Sequence, residues 1–435
     1  MPVEAALALI TSKFAAAFRD RDRIRFRGRL SSPLAALVIV AALATAGCQP
    51  GVGPSGGGGA SNSGSGSSTT PNGDDTADAT SNDADSGDSS GGEKSQTASN
   101  SPAAPSDAEL REMLDRALDF TCQGRRLNLT DHAAWQIVHG ALAFGRDFQI
   151  TNNQGEDVSA IDYLLAGGEM TGWLMKEGVP LGNPPRPGLR AIVEAGSKTG
   201  QGHADQWLGY LADIGLKLDQ EIKAGGRTYT LEDYLNQIEY DVPVNVDQEY
   251  SWTLMALTAY RPTDYEWTAG DGNKWSIARL MEIEVNHDLA VSACGGSHRM
   301  AGIVMALTQH RKQGRAVEGP WAAADEKIRK CVADAKRFQN PDGSLSTNWF
   351  QRPGASPDIK ERLGCTGHVL EFCILASSDD ELKQPWMRRS VAYLCRLLEK
   401  TKQLDLECGA LYHAAHGLVL YRQRMFGPKS YVGAE

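Results

Sequence analysis

The chain is poor in the features that announce most functions. Acidic residues outnumber basic ones, 54 Asp and Glu against 44 Lys and Arg, for a net charge of −10. That balance repels polyanions and argues against nucleic acid as a partner. No apolar run suits a bilayer: the best, Pro33 to Ala46, has 14 residues, against roughly 20 for a spanning helix. Residues 106–435 hold no Gly-x-Ser-x-Gly elbow, no phosphate-binding Gly-Lys-Thr loop, no dinucleotide fingerprint and no His-Glu-x-x-His. The usual signatures of serine hydrolases, nucleotide-binding folds and zincins are therefore missing. Large apolar residues are scarce over one long stretch: between Cys48 and Leu110 only Val52 occurs.

What is present begins with an address. Lys13 and six arginines (Arg19, Arg21, Arg23, Arg25, Arg27, Arg29) form a basic leader. An apolar core of signal-peptide length follows and ends at Ala46-Gly47-Cys48. This order resembles the bacterial lipoprotein signal, in which small residues precede a Cys that is cleaved at and lipidated. The resemblance implies a signal peptide over 1–47, a lipid anchor on Cys48 and a membrane-bound, extracytoplasmic location in the cell envelope. Residues 48–105 are Gly, Ser, Asn, Thr, Asp and Ala almost throughout. They cannot bury enough apolar area to offset ordering entropy, so they are expected to be a disordered tether. The leader carries +4 and the tether −6, which leaves −8 on residues 106–435.

Those 330 residues read as helices. Met300, Ile303, Val304 and Leu307 fall at i, i+3, i+4, i+7; so do Val391, Leu394, Cys395 and Leu398, with Met387 one turn before them and Arg388, Arg389, Arg396 and Lys400 on the other side. Ser106 with Glu109, Ser159 with Asp162, and Thr230 with Asp233 look like capped helix starts. The chain also repeats. His132-Ala-Ala-Trp135 returns as His203-Ala-Asp-Gln-Trp207, and Ser159-Ala-Ile-Asp162-Tyr163-Leu164 returns as Thr230-Leu-Glu-Asp233-Tyr234-Leu235, both at an offset of 71 residues. A hairpin-like segment joins the halves of each unit, and "EWTAGDGNKW" marks a looser third copy. Helix starts near 106, 159, 230, 276, 322 and 386 alternate with starts near 131, 203, 249, 294, 365 and 408. The second set is richer in Gly, Ala, Cys and His, as helices packed on all sides should be. Six such pairs predict an all-α fold, an (α/α)6 toroid with short hairpins in the first units; an open superhelix of pairs is the competing arrangement.

Residues 337–345, "RFQNPDGSL", sharpen this expectation. Gln339, Gly343 and a large residue, here Leu345, resemble the QW-type repeat of the terpenoid cyclase and protein prenyltransferase toroids, and "GCTGHVLEFCIL" resembles the helix that follows such a repeat. The family's Asp-x-Asp-Asp and Asp-Asp-x-x-Asp signatures are absent from residues 106–435, which argues against isoprenoid chemistry. Some toroid families place zinc in the mouth with Cys and His, although neither full ligand motif matches here.

A toroid would gather helix starts at one mouth. It would bring together His132, His203, His298, His368, Glu371, His413 and His416 as candidate cavity or catalytic residues. Cys294, His298, Cys365, His368, Cys408 and His413 are candidate metal ligands. Trp135, Trp207 and Trp252 would lie beside them as aromatic platforms or as core bulk. Three readings stand side by side. The Cys and His residues hold zinc. Alternatively, the His residues bind ligand or act as acid and base, His368 with Glu371 for example. Or small residues let helices approach and each His satisfies a backbone carbonyl. The functional expectation is a cell-envelope lipoprotein whose cavity binds, and can process, a glycan or peptide; a non-catalytic scaffold and a zinc-dependent toroid enzyme are the rivals.

The address is tested first. Cys48→Ser should move the protein from the membrane to the soluble fraction, and mass spectrometry of the wild type should find a diacylglyceryl Cys48 as first residue. An unmodified N-terminus elsewhere would refute the anchor.

Overall fold

The computed structural model describes residues 103–245 and 248–431. The leader, Cys48 and nearly all of the tether lie outside the described residues. The fold is mostly α, with thirteen α-helices and four two-stranded antiparallel hairpins among the described residues.

In chain order the helices are α1 (Asp107–Asp119), α2 (Ala134–Phe144), α3 (Ala160–Leu165), α4 (Gln206–Asp213), α5 (Leu231–Asp241), α6 (Ser251–Tyr260) and α7 (Ile277–Asn286). They continue as α8 (Ser297–Lys312), α9 (Pro320–Arg337), α10 (Ile359–Ala376), α11 (Asp379–Leu382), α12 (Pro385–Lys400) and α13 (Cys408–Phe426). The capped starts form as the spacing predicts. Ser106 and Thr230 make reciprocal capping boxes with Glu109 and Asp233, and Ser159 accepts the Asp162 amide. Each such cap satisfies amides that the first helical turn leaves without partners.

Six helices close a circuit of contacts: α2 packs on α4, α4 on α6, α6 on α8, α8 on α10, α10 on α13, and α13 back on α2. These helices are buried nearly all round; α13 exposes almost nothing between Gly409 and Arg422. The flanking helices are amphipathic and lie against the backs of the others, α3 on α2, α7 on α6, α9 on α8, α12 on α10 and α1 on α13. Close approach within the circuit depends on missing side chains. A Cβ on Gly302 of α8 would lie 2.7 Å from the Ser251 carbonyl oxygen of α6, and one on Gly417 of α13 would lie 3.0 Å from the Glu371 Cα of α10.

The expected hairpins appear between helices of the first units: β1 (Gln149–Thr151) with β2 (Asp157–Ser159), β5 (Glu221–Ala224) with β6 (Arg227–Thr230), and β7 (Glu266–Thr268) with β8 (Lys274–Ser276). A fourth, β3 (Met175–Leu181) with β4 (Arg186–Ala191), was not expected. It packs on α5, where Gln237 accepts the Val179 amide and Asp241 receives Arg190. Its many Gly and Pro residues hide the alternation that marks a strand. Helix α10 starts at Ile359, one and a half turns before the expected 365, because Asp358 caps the Glu361 amide. Gln339 behaves as a latch: its amide donates to the Trp386 carbonyl and the Ser390 hydroxyl, both 2.7 Å away, and ties the end of α9 to the start of α12.

Replacing Gly302 with Val should cost about 2–4 kcal/mol, since the new methyls collide with α6 backbone that cannot swing away. Urea unfolding measures this. A loss under about 0.5 kcal/mol would mean that α6 and α8 are not in close contact.

Candidate functional site

The circuit helices turn their polar residues toward one another. Helix α2 supplies His139, α4 supplies Tyr210 and Asp213, α8 supplies His298, α10 supplies His368 and Glu371, and α13 supplies His413 and His416. The segments leading into α4, α6 and α8 add His203, Glu249 and Cys294. All the helix-borne imidazoles named here are buried. The His413 ring centre lies 4.2 Å from that of His368, 5.2 Å from His298 and 5.3 Å from His139. His203 stands 5.4 Å from His298, and Trp252 packs 5.1 Å from it.

Glu371 is the hub. One carboxylate oxygen accepts from His413 Nδ1 at 2.8 Å and the other from His416 Nδ1 at 2.6 Å. His416 Nε2 faces Asp213 at 3.6 Å. Burial alone would raise the Glu371 carboxyl, but the two imidazoles outweigh it and hold the group well below the usual carboxylate range. Burial also works against a charged His416. The Glu371 hydrogen bond and the Asp213 charge overcome it, so His416 is shifted upward. Both shifts favour the charged form of the group concerned.

Three other rings are shifted the opposite way. Burial and the neighbouring His413 lower His139 and His298 far below the ordinary value, and bring His368 down to about 4. Backbone carbonyls fix two tautomers, because a carbonyl can only accept. His139 Nδ1 donates to Trp135, and His368 Nδ1 donates to the Gly364 carbonyl at 2.8 Å. His139 Nε2 is then an acceptor and takes the Tyr210 hydroxyl proton at 3.0 Å. The Tyr210 oxygen also lies 3.5 Å from His413 Nε2. His298 stands apart from this order: both its ring nitrogens are buried without a hydrogen-bond partner. Cys294, His298 and His368 each offer one ligand atom, all within 4.8 Å of one another.

Not every residue singled out in the sequence joins the centre. His203, His298, His368, Glu371, His413 and His416 do. His132 instead closes a local turn, its Nδ1 set against the Asn128 backbone 3.2 Å away, before α2 begins. Cys365 points to the Thr347 carbonyl, and burial lifts its thiol to about 12. Cys408, next to the Glu407 cap of α13, is likewise raised to about 12 by burial. The metal set expected from the sequence thus shrinks: Cys365, Cys408 and His413 are not in the three-residue cluster. A one-residue step turns a helical side chain by about 100°, so shared position at a helix start does not mean shared direction. Among the described residues no disulfide forms.

Four residues of the centre escape a motif reading: His139, Tyr210, Asp213 and Glu249. A signal existed. His139 and Tyr210 are 71 residues apart, the same offset that relates His132 to His203. Repeat-equivalent positions on adjacent circuit helices meet. His368 and His413 obey a second offset, 45 residues, which Glu371 and His416 share.

Backbone strain gathers at the same entrances. Asp205, Gln248, Cys294 and Trp349 are the described non-glycine residues with positive φ, and each lies in a segment leading into a circuit helix. Asp205, half-buried, takes the Thr253 hydroxyl at 2.5 Å; burial pushes its carboxyl up to about 7 despite that bond. The folded state therefore keeps a proton that the unfolded chain releases near pH 4. This contribution to stability is full below about pH 4 and is lost as pH rises through about 7. Asn tolerates the left-handed φ and still accepts from Thr253. Asp205→Asn should gain about 1–2 kcal/mol over wild type at pH 8 and little at pH 4. Equal effects at both pH values in thermal melts would place the carboxyl in its ordinary range.

No family model, no curated protein and no solved structure matches this chain.

Proposed function

We propose that the protein is a lipid-anchored, extracytoplasmic enzyme whose buried histidine–carboxylate centre acts on a glycan or peptide of the cell envelope. The circuit of six helices, with partners on their backs, supports an (α/α)6 toroid in which the centre lies between the circuit helices. The leader and tether support a domain held off a membrane from Cys48.

One observation carries the catalytic reading, the chain Asp213–His416–Glu371–His413. Ionisable groups in an interior cost several kcal/mol each in desolvation, and apolar residues of like volume would usually serve stability as well or better. A scaffold gains nothing from such a chain. An acid–base site needs it, because a carboxylate that fixes an imidazole tautomer leaves the second nitrogen ready to exchange a proton. His413, with Nδ1 on Glu371 and Nε2 toward Tyr210, is that imidazole.

The scaffold reading draws on the deep burial of the same histidines, and one set of variants separates the two. Mature protein is incubated with fragmented envelope glycan and with peptides released from it, and products are followed by mass spectrometry. His413→Asn and Glu371→Gln should cut turnover at least 100-fold, with near-ultraviolet circular dichroism retained. The triple variant Glu371→Met, His413→Leu, His416→Leu should fold with equal or greater stability and be inactive. No turnover by wild type, together with a triple variant indistinguishable from it in every assay, would leave the scaffold standing.

A further inference from the structure

Within the centre, Cys294, His298 and His368 take no part in the Glu371 chain, and their arrangement asks for a different explanation. Their ligand atoms lie within 4.8 Å of one another although they come from the entrance to α8, the first turn of α8 and the middle of α10. Both nitrogens of His298 are buried with nothing to bond. An unsatisfied buried ring nitrogen forfeits the hydrogen bonds it had with water, and native interiors avoid it. The rings around His298 supply no donor or acceptor in reach; they are His203, His368, His413 and Trp252. His368 is prepared for a partner it does not have in the chain. Its Nδ1 proton is spent on the Gly364 carbonyl at 2.8 Å, so Nε2 presents a lone pair. A backbone carbonyl holding the far nitrogen is the usual outer support of a metal-bound histidine.

Cys294 is set in place at a cost. Its φ is +49°, in the left-handed region that a non-glycine residue adopts only when its surroundings enforce it. Gly295 and Gly296 continue at +61° and +77°. The Trp349 indole closes over Gly295, where a Cβ would lie 2.0 Å from its Cγ. The Ser297 hydroxyl ties back to the Cys294 carbonyl at 2.9 Å. Three left-handed residues in a row, clamped by an indole, bring a sulfur to two imidazoles.

We infer that Cys294, His298 and His368 form a zinc site with one open coordination position. A thiolate and two imidazoles match zinc's preference for sulfur and nitrogen donors, and three protein ligands are the pattern of a site that leaves room for a further ligand. Tetrahedral zinc has ligand–ligand edges of roughly 3.4–3.8 Å, so binding draws the three atoms together by about 1 Å. On binding, the Cys294 S–H bond breaks, its proton passes to solvent and the sulfur electron pair bonds the ion; the imidazoles bind through lone pairs. One of the two orphan nitrogens of His298 is then satisfied. The inference deepens the reading of this centre as a reactive site, and it holds or falls by metal binding alone, without reference to turnover.

The test uses the mature chain, stripped with chelator and titrated with zinc and, separately, with cobalt(II) as a spectroscopic probe. Calorimetry should give one zinc per chain, and the cobalt form should show a thiolate-to-metal charge-transfer band. Cys294→Ser should abolish the band, and His298→Ala and His368→Ala should each weaken zinc at least 100-fold. Cys365→Ser, Cys408→Ser and His132→Ala should leave stoichiometry and band unchanged, which separates this site from adventitious thiol binding. The wild-type band needs no variant to fold. Absence of stoichiometric zinc in the wild type would overturn the site, as would a band that survives Cys294→Ser or disappears with Cys365→Ser or Cys408→Ser. Metal binding without turnover would retain the site and remove the enzymatic reading; turnover by a chain that binds no stoichiometric zinc would do the reverse.

Discussion

Glu371 is buried between two histidines, and the interior of this protein is arranged around that fact. A lone carboxylate there would protonate or force water in. With His413 on one oxygen and His416 on the other its ionised form is favoured, and the charged form of His416 is favoured in return. The helices that carry these groups, α10 and α13, must lie almost in contact. Gly417 permits this, since any Cβ there would press on the Glu371 backbone. Small residues in these helices and charge in the centre are thus one requirement. For the neighbouring rings burial dominates: it lowers His139, His298 and His368, and His413 beside them adds to the shift.

Division of labour follows from the hydrogen-bond directions. The carboxylate chain can move a proton. The Cys294, His298 and His368 group brings one sulfur and two imidazoles together, a donor set suited to a borderline cation. The two meet where the His413 and His368 rings pack 4.2 Å apart. The strained residues Asp205, Gln248, Cys294 and Trp349 all lie in entrance segments and none lies inside a regular helix body. Strain of that kind persists where surroundings over-determine the backbone, and it concentrates where a side chain must be aimed. Cys294 is the clearest instance, because its aim is toward two histidines.

Much of this was legible in the residues. Hydroxyl-x-x-acid spacing at Ser106, Ser159 and Thr230 located helix starts because the cap is a local bond within four residues. The alternation of polar and small-residue helices told the buried helices from the amphipathic ones because burial on all sides excludes Lys and Glu. The 71-residue offset placed two hairpins and a looser copy placed a third, since equivalent segments face equivalent neighbours. The fourth hairpin, Met175–Ala191, eluded the pattern: its strands are held by Gln237 and Asp241 of α5, contacts that no local rule encodes.

The sequence by itself determined which residues could matter: it holds nine histidines, most of them on helices that must be buried. It did not determine which of them converge. His132, Cys365 and Cys408 lie close in sequence to members of the centre yet do not join it, while His139, in the second turn of α2, does. Position along a chain fixes an angle around a helix only once the helix start and packing angle are known. Those are decided when the circuit helices settle against their neighbours, at points such as Gly302 on Ser251 and Gly417 on Glu371. Tertiary packing therefore chose the members of the site from a list that the sequence had already drawn up.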